Sequence, residues 1–394
     1  MIPSTVENNY GTKEADVMKK RAWLSIFLVL VLGISFVAPV ALAEDTIKVG
    51  GIAVLSGPYA VYGLAVQKGV DLYISQLNAQ GGIDGKKVEV IWEDDRGEAN
   101  DGVLAFEKLV QNDGVVAIIG AVLTGVTKAV AEYAADIGIP MITASATAYD
   151  ITTDRPSVFR TCFLDPFQAV QMARYTKDEG FTKVAALYDN GNEYSKGLYD
   201  AFVAEAEALG LEMVASESAA YGDVDFKTQL TNVKNANPEV VFLPYYGAEA
   251  SLILTQANEI GLNVKFLGAD GISDIVDAIA DKSLLTNMTY SDHFSTQADS
   301  QLAKDFVAAF KAAYNEEPSV SFSATGYDAA LVLAEALKKG STKYEDVAAA
   351  IRATDLEAVS GKITFDEHND PIKSAFIMTF DAQGNKVFVK MQNP

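Results

Sequence analysis

The residues best placed to do chemistry in this sequence are Ser56, Tyr62, Thr124, Ser145, Thr147, Tyr194, Tyr246 and Asp270. They lie in the stretches LSGPYAVYG, GAVLTGVT, ASAT, YDNGNEYS, PYYGAE and GADGISD, each following an apolar run that reads as a strand. Hydroxyls and the open amides of a helix N-terminus suit a carboxylate. A lone aspartate beside a hydroxyl or carbonyl suits an ammonium group, and tyrosine rings suit an apolar body. Together these parts complement a zwitterion. Taken singly, each has a plainer use: the threonines and Ser145 as helix caps, Asp270 as a loop cap, any one tyrosine as packing. The reading rests on all of them standing at strand ends at once, where open α/β sheets bind ligands.

Reactive chemistry finds little support. GAVLTGVTK has the glycine spacing of a phosphate-cradling loop, but Val126 stands where the lysine belongs. Neither a dinucleotide-binding G-x-G-x-x-G nor a nucleophile-elbow G-x-S-x-G occurs. The two histidines, His293 and His368, fall in connecting segments, and the acidic stretches DDRGEANDG and DEHNDP lack the spacing of a calcium loop. The one cysteine, Cys162, sits in the apolar run VFRTCFL and reads as a buried, inert thiol. No catalytic residue, metal site or cofactor is expected, which suits holding a molecule more than transforming it.

Net charge is −22 over 394 residues, and 49% of these are apolar. That balance argues against nucleic acid, whose binders cluster Lys and Arg, and allows two sizeable cores. Lys19-Lys20-Arg21, the apolar run Ala22 to Val40 and Ala41-Leu42-Ala43 make a secretory signal peptide, with cleavage expected after Ala43 and with Met1 or Met18 as the start.

The elements that must position the polar residues alternate steadily. Strand-like runs IKVGGIAVL, KVEVIWED, VVAIIG and GIPMIT are separated by helical stretches at 62–78, 100–111 and 126–136. After VFRTCFL the pattern restarts with KVAALYD, LEMVASES, EVVFLPYY and VKFLGAD, separated by helices at 193–209, 226–235 and 248–260, with another at 166–179. MTYSDHF leads to helices at 298–314 and 323–338, then ITFDEHND and the closing strands SAFIMTFD and KVFVKM. Strand–helix alternation of this kind means parallel sheets covered on both faces. Several extended crossings, with no Pro-rich or Gly/Ser linker, predict two α/β lobes hinged about a cleft.

LSGPYAVYG, NAQGGIDGKKVEV, ITASAT, FLGADG and ITFDEHND together resemble the periplasmic leucine/isoleucine/valine-type binding proteins, the branched-chain amino acid receptors of ABC importers. The resemblance runs from Ile47 to about Lys390. It implies a type I fold, two Rossmann-like lobes joined by three hinge crossings, with 44–163 plus 295–365 in one lobe and 164–294 plus 366–394 in the other. It implies that Thr124, the Thr147 amide and Tyr246 meet a ligand α-carboxylate, and that the Ser145 carbonyl, the Thr147 hydroxyl and Asp270 meet its ammonium. Tyr62, Tyr194 and Phe322 then stand near the ligand side chain or the cleft mouth, and Leu123, Ala146 and Gly271 complete the binding set. A monomer in the periplasm that passes its ligand to a membrane permease is the implied partner arrangement, with no cofactor. Two departures stand out. The best-known members carry glutamate where this chain has Asp270, and a disulfide near Arg96 and Leu123 that this chain lacks. Receptors for amides, urea or aromatic acids, a ligand-sensing module and an exported hydrolase are the alternative readings.

Overall fold

A computed structural model describes residues 46–393 of the chain; the expected signal peptide lies outside them. In chain order the first part contains β1 (Ile47–Ala53), α1 (Ala60–Ala79), β2 (Val88–Asp94), α2 (Ala99–Lys108), β3 (Ile118–Ile119), α3 (Thr124–Ile137), β4 (Met141–Thr143) and β5 (Val158–Arg160). Next come α4 (Asp165–Asp178), β6 (Lys183–Asp189), α5 (Glu193–Ala208), β7 (Glu212–Ala219), α6 (Lys227–Asn235), β8 (Val240–Phe242), α7 (Gly247–Glu259), β9 (Lys265–Gly268), α8 (Ile275–Ala278) and β10 (Met288–Asp292). The chain ends with α9 (Gln301–Tyr314), α10 (Phe322–Leu337), α11 (Tyr344–Arg352), β11 (Asp355–Ala358), β12 (Gly361–Thr364), β13 (Ala375–Phe380) and β14 (Lys386–Gln392).

The strands form two main sheets. The first is parallel, in the order β2-β1-β3-β4-β5. The second runs β14-β13-β10-β9-β8-β6-β7, parallel except where β13 meets β10 and β14 in antiparallel register. Strand order reverses at β1/β3 in the first sheet and at β6/β8 in the second. The loops leaving these strands carry Thr124 and Tyr246, and the crevice at such a reversal is where this fold accepts ligands. The expected α/β architecture is therefore present. The helix at 344–352 and the hairpin β11–β12 were not anticipated: KYEDVAAAIR is short, and the hairpin alternates too weakly to stand out.

Local chemistry explains the ends of the elements that frame the cleft. Asn192 caps α5, its side-chain oxygen accepting from the amides of Tyr194 and Ser195. Gly138 ends α3 in the left-handed conformation (φ 75°). The segments linking the sheets are tied down by buried ion pairs and polar bridges. Arg160 Nε lies 2.6 Å from Asp370 Oδ1 with both side chains nearly dry. The buried Lys373 Nζ donates to Thr161 O at 2.9 Å and to Ser360 Oγ.

Late helices complete the early sheet's cover. α10 lies along α1 so closely that a Cβ on Gly69 would fall 1.9 Å from Ser323 O, backbone that cannot swing aside. Gly69→Ala is therefore expected to destabilise the protein by about 1–3 kcal/mol, the usual cost of overpacking, read as a lower urea midpoint.

Candidate functional site

The site grows from the end of β4. Thr143 Oγ1 donates to Ala121 O (2.8 Å) and accepts from the amide of Ala146 (3.1 Å), while Ser145 Oγ donates to Val122 O (2.9 Å). These bonds fix the ASAT turn against the loop from β3. Arg160 Nη1 donates to Ala146 O (3.0 Å), and Thr147 O accepts from the amide of Asp165 (2.8 Å). Thr147 is fully buried, and its Oγ1 makes no well-formed hydrogen bond, the Asp165 carboxyl being the polar group nearest at hand. A buried hydroxyl in that condition is costly unless something arrives to pair with it.

Thr124 is the first residue of α3, after Leu123 in extended conformation, and no side chain caps that end. The N-terminus of this fourteen-residue helix thus presents open amides and the positive end of its dipole beside the buried Thr124 hydroxyl. Neither Thr124 nor Thr147 serves as a helix cap, so the plainer use open to them in the sequence is removed.

The second sheet supplies the other wall. Tyr246 precedes α7 and stacks on Tyr194 from α5 (centroids 5.0 Å, 10°). Tyr62, Tyr59 and Phe322 extend this aromatic group, with Tyr62 at 5.3 Å from Tyr246 and 5.8 Å from Phe322. Gly271 fits beneath because it has no side chain: a Cβ there would lie 2.8 Å from Tyr194 Oη and 3.0 Å from the Tyr246 ring.

Asp270 is buried (1% exposed) and surrounded by donors. Tyr194 Oη (2.8 Å) and Gln168 Nε2 (2.9 Å) donate to its Oδ1. His293 Nδ1 accepts from the Phe163 amide (3.5 Å), leaving Nε2 to donate to Asp270 Oδ2 at 3.0 Å. The histidine ring lies against Phe163, centroids 3.7 Å apart. Gln168 Nε2 also donates to Asp165 Oδ1 (2.9 Å), while Gln168 Oε1 accepts from the Asp270 amide (3.2 Å) and Ser291 Oγ (3.0 Å). One amide side chain therefore joins two buried carboxylates. Burial, and then the charge of Asp270, push the Asp165 carboxyl up to about 8.

The two walls are shut against each other. Tyr62 Oη lies 2.6 Å from Asp274 Oδ1 and 2.9 Å from Gly271 O, sharing its hydrogen between them, and accepts from the Gly247 amide at 3.1 Å. Burial pushes Asp274 up to about 6, with the Tyr62 bond opposing. Tyr59 Oη donates to Glu249 (2.7 Å), and Lys128 Nζ bridges Glu193 (2.8 Å) and Asp150 (3.0 Å). Leu123, half-buried, lines an outer cavity of about 230 Å³ with Tyr59, Tyr221 and Tyr246. Cys162 is buried and donates to Ala146 O (3.3 Å); burial pushes its thiol up to about 12, so it is held as the unreactive thiol.

Tyr62, Thr124, Ser145, Ala146, Thr147, Tyr194, Tyr246, Asp270 and Gly271 therefore lie at this junction, with Leu123 and Phe322 toward its edges. Ser56 does not: it is exposed and donates to Asp94 Oδ2 (2.6 Å), holding the turn after β1. Gln168, Asp165, His293, Tyr59 and Asp274 were missed. Gln168 follows Asp165 by one helical turn in LDPFQ, the only local signal available; His293 was passed over as a connecting residue.

Two doubly wound lobes closed over a buried polar centre define a clamp for a small solute. Residues 46–385 match the family model described as periplasmic binding protein. The chain is 33% identical over 362 residues to the Leu/Ile/Val-binding protein homolog 3 of Brucella melitensis, covering 89% of this chain and 96% of that one. Among solved structures it is similar to the branched-chain amino acid transporter substrate-binding protein LivJ of Streptococcus pneumoniae in complex with isoleucine (TM-score 0.83, 32% identity, 89% of this chain and 99% of that one). It also resembles the leucine-binding protein LivK of Thermotoga maritima (TM-score 0.82, 29% identity, 88% and 99%). The chain belongs to the periplasmic binding protein family.

The raised Asp165 carboxyl has a thermodynamic sign. Its folded-state value lies above the unfolded one, so its contribution is full below about pH 4 and is lost as pH rises through about 8. Thermal melts of ligand-free protein between pH 5 and 9 should therefore show a downward component that Asp165→Asn removes. A variant with an unchanged pH profile would count against the buried carboxyl as its source.

Proposed function

We propose that the chain captures a small α-amino acid, with leucine, isoleucine or valine the best fit, in the cleft between its lobes and delivers it to the permease of an ABC importer. The observation that carries this is the buried Asp270 carboxylate, held by Tyr194, Gln168 and His293, in a centre where the buried Thr147 hydroxyl makes no well-formed hydrogen bond. An ammonium group satisfies both. The open N-terminus of α3 with Thr124, the Thr147 amide and Tyr246 take the carboxylate, and the Ser145 carbonyl accepts a further ammonium hydrogen. Tyr62, Tyr194, Phe322 and Leu123 surround the side chain, with Ala146 and Gly271 lining the close approach. Names of relatives and the isoleucine complex of the pneumococcal protein support the same ligand class.

Capture follows from geometry. The lobes, residues up to 163 with 295–365 and residues 164–294 with 366 onward, hinge open to admit ligand. Only the closed form makes both sets of contacts, so ligand shifts the equilibrium toward closure. Tyr62 then crosses to Gly271, Asp274 and Gly247. No step breaks a covalent bond, so the chain acts as a carrier and not as an enzyme. It works as a monomer in the periplasm, exported by the segment that ends at Ala43; among the described residues no helix is long and apolar enough to cross a membrane.

Ligand-stripped protein is to be melted against the common amino acids, short amides and benzoate. Leucine, isoleucine or valine at 100 times its Kd should add about 2.7 kcal/mol, a shift of a few degrees. Asp270→Asn leaves an ammonium without its buried counter-charge, at a cost of about 3–5 kcal/mol, and should abolish that shift. A shift confined to ligands without an ammonium group would sink the amino-acid assignment.

A further inference from the structure

Asp165 takes no part in the binding scheme above, yet it is the strangest group near it. It is 1% exposed, the Thr147 hydroxyl faces it without a well-formed hydrogen bond to Oδ2, and through the Gln168 amide it faces a second buried carboxylate. Two like charges in one dry pocket cannot both be held cheaply without a cation between them. The groups facing Asp165 do not supply one. Its own helix offers Gln168, and the turn after β9 offers Asp270 with His293 behind it. From α5 come Tyr194 and Gly197, where an added Cβ would lie 3.7 Å from Oδ2, and from the end of β4 comes the uncharged Thr147 hydroxyl. From β5 comes Arg160, whose guanidinium is already committed to Asp370.

Asp165 also borders a surface cavity of about 340 Å³ on its other side. The cations there are engaged: Lys128 with Glu193 and Asp150, Lys196 with Asp200. This cavity lies at the outer edge of the same seam, where Lys128 bridges Asp150 and Glu193.

We propose that Asp165 is a second carboxylate of the binding site, which carries a proton in the ligand-free protein and releases it to water when an ammonium group binds beside Thr147 and Asp270. The Asp165 Oδ2–H bond breaks, water takes the proton, and the carboxylate left behind shares the ammonium's charge with Asp270. The shorter Asp270 side chain thereby gains a partner in holding the head group. The raised Asp165 value, about 8, fits a group that is protonated at neutral pH before ligand arrives. The consequence is selective: ligands bearing an ammonium group exchange it for a proton, and neutral or anionic ligands do not.

The inference rests on the amino-acid reading, and one experiment separates the two. Ligand-free protein is titrated with L-isoleucine by calorimetry at pH 7 in phosphate and in Tris, whose ionisation heats differ. A group titrating near 8 is about nine-tenths protonated at pH 7, so about 0.9 proton should leave per isoleucine bound. Asp165→Asn should release none, and the wild-type Kd should weaken by up to about tenfold from pH 7 to pH 6 while the variant's stays flat. Equal heats in the two buffers, or the same proton release from the variant, would overturn the inference and leave the amino-acid reading standing. Absence of any heat with isoleucine, leucine and valine alike would overturn the amino-acid reading and this inference together.

Discussion

The structure depends on keeping a carboxylate dry. Asp270 at 1% exposure has lost the water that would normally stabilise it, and an isolated buried charge costs many kcal/mol. Tyr194, Gln168 and His293 replace that water with three fixed donors drawn from three different parts of the chain. Much nearby architecture follows from this need. Gln168 must stand one turn into α4, the Phe163 amide must hold the far side of His293, and Gly271 must lack a side chain so that Tyr194 can reach. Preorganised donors of this kind cost no rearrangement when a ligand arrives, which is where affinity is gained.

That arrangement also connects binding to the hinge. Phe163 lies just after the first sheet's last strand, and His293 just after β10, so both belong to the segments that pass between lobes. The carboxylate proposed to meet the ligand is thus braced by the same segments that join the two sheets. Tyr62 works from the opposite lobe, with one hydroxyl meeting three groups across the cleft. The same contact is backed by aromatic packing, with the Tyr59 and Tyr62 rings against Tyr246.

Much of this was legible in the sequence because the information was local. Strand–helix alternation gave the two sheets, and the change from bulk to hydroxyls in GIPMITASAT marked the end of a buried strand. Helix bounds were recovered to within a few residues, since apolar periodicity and residues such as Asn192 and Gly138 mark them. The supporting partners of Asp270 were not legible. Gln168 lies 102 positions away and His293 lies 23, and neither belongs to a recognisable pattern with it. The hairpin β11–β12 failed for a different reason: four-residue strands with exposed Lys362 and Glu357 carry too little alternation to be told from a loop.

The return of the chain to its first sheet has a consequence for how the molecule comes into being. α1 is covered by α10, whose residues follow it by more than two hundred positions, and the β11–β12 hairpin is fixed through Val359 and Ser360 to Asp328 of that same helix. A chain delivered from its N-terminus therefore cannot finish its first lobe until nearly all of it has emerged. Its long-range contacts must close late and across large loops, which slows folding. If the chain is exported as proposed above, that delay is useful: a thread that cannot knot itself early is easier to pull through.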